Sequence, residues 1–111
     1  MKPRYATIWA LAGLFLPAFA AAHALDGAWC AGDGRRIVIA GNQVITPGGG
    51  HAHGAYSQRA FHFALPQGER PAGATIWMEP KGPDAARVSV VGPHEQGPPP
   101  HSLWRRCDAT S

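Results

Sequence analysis

The sequence has few charged residues, few cysteines and, after residue 24, no stretch that could form a long helix. Charged residues make up 15% of the 111 residues, with ten basic residues against seven acidic ones. Such sparse and nearly balanced charge gives no extended basic surface, so the composition argues against binding nucleic acid through phosphate contacts. Paired carboxylates, a nucleophile elbow and a phosphate-binding loop are all missing from the sequence. We therefore expect a protein that is not an enzyme.

The serines and histidines also lack a catalytic spacing. Ser57 and His62 lie on one alternating run, residues 55–65, and an odd number of positions separates them. On a single strand, that spacing points two side chains to opposite faces of the sheet. The pattern thus offers no pair of a nucleophile and a base.

Residues 1–24 have the layout of a secretory signal peptide. Lys2 and Arg4 precede an apolar run over residues 8–22, and small residues then alternate. The run is shorter than the roughly 20 residues that a membrane-spanning helix needs. We expect an exported protein, periplasmic or secreted, that does not span the membrane after processing.

Three cleavage positions satisfy the preference for small residues at alternate positions. Cleavage after Ala20 or Ala22 would retain His23 near a free amine, a copper-type arrangement, whereas cleavage after Ala24 would remove it. We favour Ala24, because it directly precedes the first residues with a strand-like pattern. The prediction is a leader over residues 1–24 and a single domain over residues 25–111.

The domain that remains is small and needs a covalent constraint. Removing 24 of the 111 residues leaves 87, and losing Lys2 and Arg4 lowers the basic residues to eight against seven acidic ones. A chain of this size buries only about 60–65% of its unfolded surface. Cys30 and Cys107 are the only cysteines, and in an exported chain such a pair most simply forms a disulfide.

Glycine and proline recur every few residues after the leader, which excludes long helices. Between them lie short β-branched and aromatic runs, the pattern of an all-β domain. We expect a small antiparallel meander of about seven short strands that closes into a barrel, with a β-sandwich as the alternative. A disulfide between the first and last strands favours the barrel. The expected strands are residues 27–31, 35–40, 43–46, 55–65, 74–79, 86–91 and 101–107.

The two ends of the domain resemble the lipocalins and their relatives in the calycin group. The first strand contains Gly-x-Trp, with Gly27 and Trp29, and the last strand contains the arginines Arg105 and Arg106. In those proteins a tryptophan of the first strand packs against an arginine near the end of the last strand. The resemblance therefore implies that Arg105 or Arg106 covers Trp29 and closes one end of a barrel. Lipocalin-like proteins bind small apolar ligands, but the resemblance here concerns the topology of the barrel and not its function.

The segment "PGGGHAHG" contains the strongest candidate for metal binding. His51 and His53 would point the same way on an extended chain and could chelate copper, nickel or zinc. A third ligand could come from His62, His94 or His101. However, ordering a glycine-rich loop on a metal ion is costly, so we expect a solvated hairpin loop first and a metal site second. A transition-metal ion is the only cofactor that the sequence suggests.

Two tryptophans are candidates for lining a ligand site. Trp77 and Trp104 lie opposite the apolar residues of their strands, so one of them could be exposed for binding. Most of the other aromatic residues should form the core. The sequence therefore predicts a non-catalytic barrel that binds a small ligand or an envelope component. The alternatives are metal binding through His51 and His53, and a purely structural or interaction role.

Overall fold

The computed structural model describes residues 24–94 and 97–108 of the chain. These residues form eight strands and no helix, and accordingly none of them belongs to a helix that could cross a membrane. The strands, in chain order, are β1 (Gly27–Cys30), β2 (Arg36–Ala40), β3 (Gln43–Ile45), β4 (His51–Ser57), β5 (Ala60–Ala64), β6 (Thr75–Pro80), β7 (Ala85–Val91) and β8 (His101–Arg106).

The eight strands form one closed antiparallel barrel. Each strand pairs with the next along the chain, and β8 returns to pair with β1, where Trp29 lies opposite Arg106 and Cys30 opposite Arg105. The expected all-β meander and its closure into a barrel are confirmed, and the sandwich alternative is not found. The structure has eight strands, where the sequence predicts about seven.

The additional strand arises because the run over residues 55–65 is not one strand. A two-residue turn at Gln58 and Arg59 divides it, so that Ser57 pairs with Ala60 across a hairpin. Gln58 has a φ of 55°, which is uncommon for a residue other than glycine, asparagine or aspartate. Neither residue of the turn belongs to the types that usually mark a hairpin, so no sequence signal marks this break.

The hairpin changes which side chains face the interior. Tyr56 points inward, with its ring 4.8 Å from that of Phe61. Ser57 and His62, expected on opposite faces, both lie on the outer face, because His62 pairs with Ala55, which is on the same side of β4 as Ser57. Although His62 lies on the outer face, its Nδ1 atom is buried, and this atom has no hydrogen-bond partner within the described part of the chain.

The barrel interior contains one apolar cluster to which every strand contributes. Gly54 shows how tight the packing is, because a Cβ atom at this position would collide with the ring of Phe61. The glycine of β4 thus provides the space that the phenylalanine of β5 occupies. The largest fully buried side chains are Trp29, Trp104, Phe61, Phe63, Leu25, Ile37, Ile39, Met78 and Val44.

The two ends of the barrel differ. At the end that we call the loop end, the connections are long and comprise residues 31–35, 46–50, 65–74 and 92–100. At the opposite end, the hairpin end, the connections are short and comprise residues 41–42, 58–59 and 81–84. The loop end is therefore surrounded by more chain than the hairpin end, although a pocket of about 370 Å³ also lies at the hairpin end, beside Tyr56, Gln58 and Lys81.

Leu25 closes the hairpin end. Its side chain is fully buried, its carbonyl oxygen accepts a hydrogen bond of 2.9 Å from Trp29 Nε1, and its backbone N–H donates to the Tyr56 hydroxyl at 3.2 Å. Leu25, which precedes β1, therefore belongs to the folded barrel and fills its base.

The expected disulfide between Cys30 and Cys107 is present. Their Cα atoms are 5.1 Å apart, and the bridge joins β1 to the chain just after β8. It therefore spans the seam at which the first and last strands meet. The loop that it closes contains nearly all of the described residues.

Candidate functional site

A pocket of about 430 Å³ enters the barrel from the loop end. Its inner wall consists of apolar side chains that point into the barrel from four strands, β2, β6, β7 and β8. These side chains are Ile37, Ile76, Val88, Val90 and Trp104. Since alternate residues of a strand face the interior, the same periodicity that builds the core also provides this wall.

The rim of the pocket is polar and is formed by three of the long connections. Arg35 comes from the first of them, and its Nε atom contacts Asp33 Oδ2 at 2.8 Å on the exposed surface. That hydrogen bond holds the pKa of the Asp33 carboxyl below its usual value. The Arg35 guanidinium also lies 5.2 Å from the centre of the Trp104 ring, so it connects the rim to the inner wall. Arg70 contributes a second guanidinium from the third connection.

Glu69 joins two of the rim connections. Its Oε2 atom accepts a hydrogen bond from the Thr46 hydroxyl, and its Oε1 atom accepts one of 3.0 Å from the Gly48 N–H. Thr46 is the one buried polar residue among those described. A carboxylate with two such donors is held firmly, because hydrogen bonds to a charged group are stronger than those between neutral groups.

The glycine run makes room for this carboxylate. A Cβ atom on Gly48 would lie 2.6 Å from Glu69 Cδ, and one on Gly50 would lie 2.6 Å from Glu69 Oε2. Gly49, with a φ of 87°, provides the turn between them. The run was interpreted as a flexible loop, and its partner Glu69 was missed, because nothing in the sequence links residues so far apart.

His51 and His53 do not lie in a loop, contrary to expectation. They are the first and third residues of strand β4, exposed on the outer face, and pair with Ile45 and Gln43 of β3. Both imidazoles thus point to the same side, as the spacing predicted for an extended chain. Within residues 24–94 and 97–108, however, no group of three histidine, cysteine, aspartate or glutamate side chains could hold a metal ion. The suggested third ligands His62, His94 and His101 are not brought to this pair.

The two candidate tryptophans have different positions. Trp104 is 2% exposed and points inward, yet one side of it forms part of the pocket wall. Trp77 is half-buried on the outer face, where it stacks on His62 with ring centres 4.4 Å apart. It borders a shallow open depression near the turn at Gln58 and Arg59. Only Trp104 therefore belongs to the pocket that enters the barrel.

The residues of the terminal signature meet at the hairpin end. The Arg106 guanidinium lies 4.3 Å from the centre of the Trp29 ring, whereas Arg105 is exposed on the outer face. Gly27 adjoins the same guanidinium, since a Cβ atom there would lie 2.6 Å from Arg106 Nη1. Gly27, Trp29 and Arg106 thus form one packed group, and Arg105 lies outside it.

Comparisons with protein-family models, curated proteins and solved structures found no match to this chain.

Proposed function

We propose that the protein is an exported, non-catalytic binding protein that holds a small, largely apolar ligand in the loop end of its barrel. The observation that carries this proposal is the pocket of about 430 Å³, whose inner wall is made of interior side chains. Pockets that bind small molecules usually have volumes of about 300–1,000 Å³ and combine an apolar wall with a few polar groups.

The arrangement of the pocket favours a ligand with an apolar body and a polar end. The wall, including Val90 and Trp104, offers no partner for a buried polar group other than the indole N–H, which already donates to Ser102 Oγ at 3.0 Å. The rim offers the guanidinium donors of Arg35 and Arg70. A ligand would therefore bury its apolar part against the wall and leave its polar part at the rim.

Two further observations support export and a binding role. The disulfide between Cys30 and Cys107 is typical of proteins in oxidising compartments, as expected if residues 1–24 are a leader. The contact between Arg106 and Trp29 supports the resemblance to lipocalins, whose barrels bind small apolar ligands. A binding partner in the cell envelope is consistent with both.

The proposal can be tested with anilinonaphthalene sulfonate, a fluorescent probe with an apolar body and one acidic group. We expect saturable binding of one probe per chain, and Val90→Trp should weaken it at least tenfold by filling the pocket. Val91→Trp is the matched control, because Val91 is the next residue of β7 and faces outward. Equal affinity in Val90→Trp, or an equal loss in both variants, contradicts a site inside the barrel. Urea unfolding of each variant establishes that the barrel is intact.

The natural ligand can be sought by native mass spectrometry. The protein should be purified from an exporting bacterial host without chelator and without an affinity tag. A bound small molecule that is absent from Val90→Trp and present in Val91→Trp supports the proposal. An empty wild-type chain that also fails to bind the probe leaves a structural or interaction role.

Metal binding is a second candidate, because His51 and His53 are exposed on the same face of β4. Two imidazoles at alternate positions of a strand can bind one copper, nickel or zinc ion, with water as the other ligands. Calorimetric titration should then show one ion per chain, lost in a variant with both His51→Ala and His53→Ala. His101→Ala is the control, since His101 lies at the start of β8. Unchanged affinity in the double variant contradicts this site.

A further inference from the structure

The backbone carbonyl of Ala24 takes part in closing the barrel, yet the expected leader cleavage after Ala24 would remove it. Arg106 Nη2 donates a hydrogen bond of 3.0 Å to the carbonyl oxygen of Ala24, and Arg106 Nη1 donates to that of Asp26. Ala24 is therefore part of the closure of the hairpin end. Leader cleavage after Ala24 would separate this residue from the barrel.

We propose that the leader is cleaved upstream of Ala24, after Ala22 or Ala20, so that the mature chain keeps His23 and Ala24. This inference depends on the export part of the proposed function and is independent of the ligand. All three positions follow an Ala-x-Ala pattern, so the sequence alone does not distinguish them. The contacts of Ala24 and Leu25 distinguish the position after Ala24 from the two upstream positions.

A chain that begins at Leu25 would place a charged amine where the structure has a neutral amide. The Leu25 N–H donates to the Tyr56 hydroxyl, and the Leu25 side chain is fully buried. The new amine would be partly withdrawn from water, which disfavours a charge. It would also lie one residue before the Asp26 carbonyl that binds the Arg106 guanidinium, so two positive charges would be close together.

The same cleavage would remove one of the acceptors of Arg106. The Arg106 guanidinium would then lose a charge-assisted hydrogen bond that lies at the exposed surface of the hairpin end. In contrast, a chain that retains Ala24 keeps this bond, and the amide of Leu25 stays neutral. The side chain of Ala24 is exposed, so the barrel needs the backbone of this residue and not its methyl group.

Two substitutions distinguish the cleavage positions, because the residue before the cut and the residue two positions earlier must be small. Ala24→Gln blocks only cleavage after Ala24, and its exposed side chain leaves the barrel unchanged. Ala20→Gln blocks cleavage after Ala20 and after Ala22 but leaves the Ala22-His23-Ala24 pattern intact. Each variant is the matched control of the other. Intact-mass spectrometry of protein from the periplasm of an exporting host reports the N-terminus.

We expect the wild-type chain to begin at Ala21 or His23. Ala24→Gln should give the same N-terminus in the same yield, with the substituted residue retained in the mature chain, whereas Ala20→Gln should lose this product. A wild-type mass that begins at Leu25, or loss of processing in Ala24→Gln alone, overturns the inference. A chain that keeps the leader in all three proteins overturns the export proposal as well, so the two failures are distinguishable.

A stability measurement tests the physical basis separately. Chains that begin at His23 and at Leu25 can be released from a fusion partner by a protease that leaves no extra residue. We expect the shorter chain to melt at a temperature several degrees lower, because a loss near 1 kcal/mol lowers the melting temperature of a domain of this size by about 4–8 °C. Equal melting temperatures would show that the Ala24 carbonyl and the neutral Leu25 amide do not stabilise the barrel, and would overturn the inference.

Discussion

Arg106 covers Trp29, with the guanidinium carbon 4.3 Å from the centre of the indole ring. The same guanidinium group donates hydrogen bonds to the backbone carbonyl oxygens of Ala24, Asp26 and Pro83. These contacts lie at the seam between β1 and β8, where only two residue pairs are in register, compared with six between β6 and β7. The weakest junction of the barrel therefore depends on one side chain and on the nearby disulfide.

Replacing Arg106 should open this seam. We expect Arg106→Ala to lower the free energy of unfolding by about 2–3 kcal/mol, because it removes charge-assisted hydrogen bonds and a cation–π contact. Arg106→Lys should recover less than half of that, since an ammonium group cannot reach three separated carbonyls in one plane. Arg105→Ala is the control, because Arg105 is exposed on the outer face of the same strand. Urea unfolding provides the measurement, and equal effects of the two alanine variants would contradict this role.

Removing the disulfide should also destabilise the barrel, because the bridge restricts the conformations of the unfolded chain. The bridge closes a loop between residues 77 positions apart, and we expect the double variant Cys30→Ser, Cys107→Ser to lose about 2–4 kcal/mol. The midpoint of urea unfolding should fall, and reductant should reproduce the effect in the wild type. If the double variant unfolds at the wild-type midpoint, the strand pairing alone holds the barrel closed.

Much of the architecture could be predicted from the sequence, because it depends on local patterns. Glycine and proline at short intervals excluded helices, and the alternation of apolar residues in runs such as 35–40 indicated the inward faces of the strands. The pairing of Cys30 with Cys107 followed from their being the only two cysteines. Together these features were sufficient to predict a closed antiparallel meander.

The remaining features depend on contacts between distant residues or on unusual turns. Gln58 adopts a positive φ, which its residue type does not signal, so the hairpin of β4 and β5 was missed. The pocket also required the complete barrel, because its wall combines residues from Ile37 to Trp104. For the same reason the role of the glycine run was missed, as its partner Glu69 lies in another connection.

Glu69 should determine how well the rim of the pocket is ordered. We expect Glu69→Gln to cost about 1–2 kcal/mol, because the hydrogen bonds from Thr46 and Gly48 lose their charged acceptor. Gly50→Ala should have an effect at least as large, since its Cβ atom would displace the carboxylate. Glu79→Gln is the control, because Glu79 makes only exposed ion pairs with Lys81 and Arg87, which contribute about 0–1 kcal/mol.

Hydrogen exchange can show where these variants act. Faster exchange should appear at the backbone amides of Gly49 and Gly50 in Glu69→Gln, because the connection over residues 46–50 is released from the connection over residues 65–74. Probe binding should weaken in parallel if the rim helps to hold the ligand. Unchanged exchange in this segment would show that the carboxylate is not what orders it.

The stability of the barrel should fall in alkaline solution through Tyr56. Burial raises the pKa of the Tyr56 phenol above its usual value of about 10. Because the unfolded chain loses this proton first, the stabilisation is complete below pH 10 and is lost as the pH rises through the pKa of the folded state.

Tyr5 lies in the expected leader, so Tyr56 is the only tyrosine of a mature chain, and its near-ultraviolet absorbance reports its titration directly. We expect Tyr56→Phe to be less stable at neutral pH, because the Leu25 N–H loses its acceptor, but also less sensitive to alkali than the wild type. Urea unfolding between neutral pH and about pH 11 compares the two proteins, and the other groups that titrate in alkali cancel in the comparison. An identical loss of stability in both would show that the phenol of Tyr56 does not resist ionisation in the folded barrel.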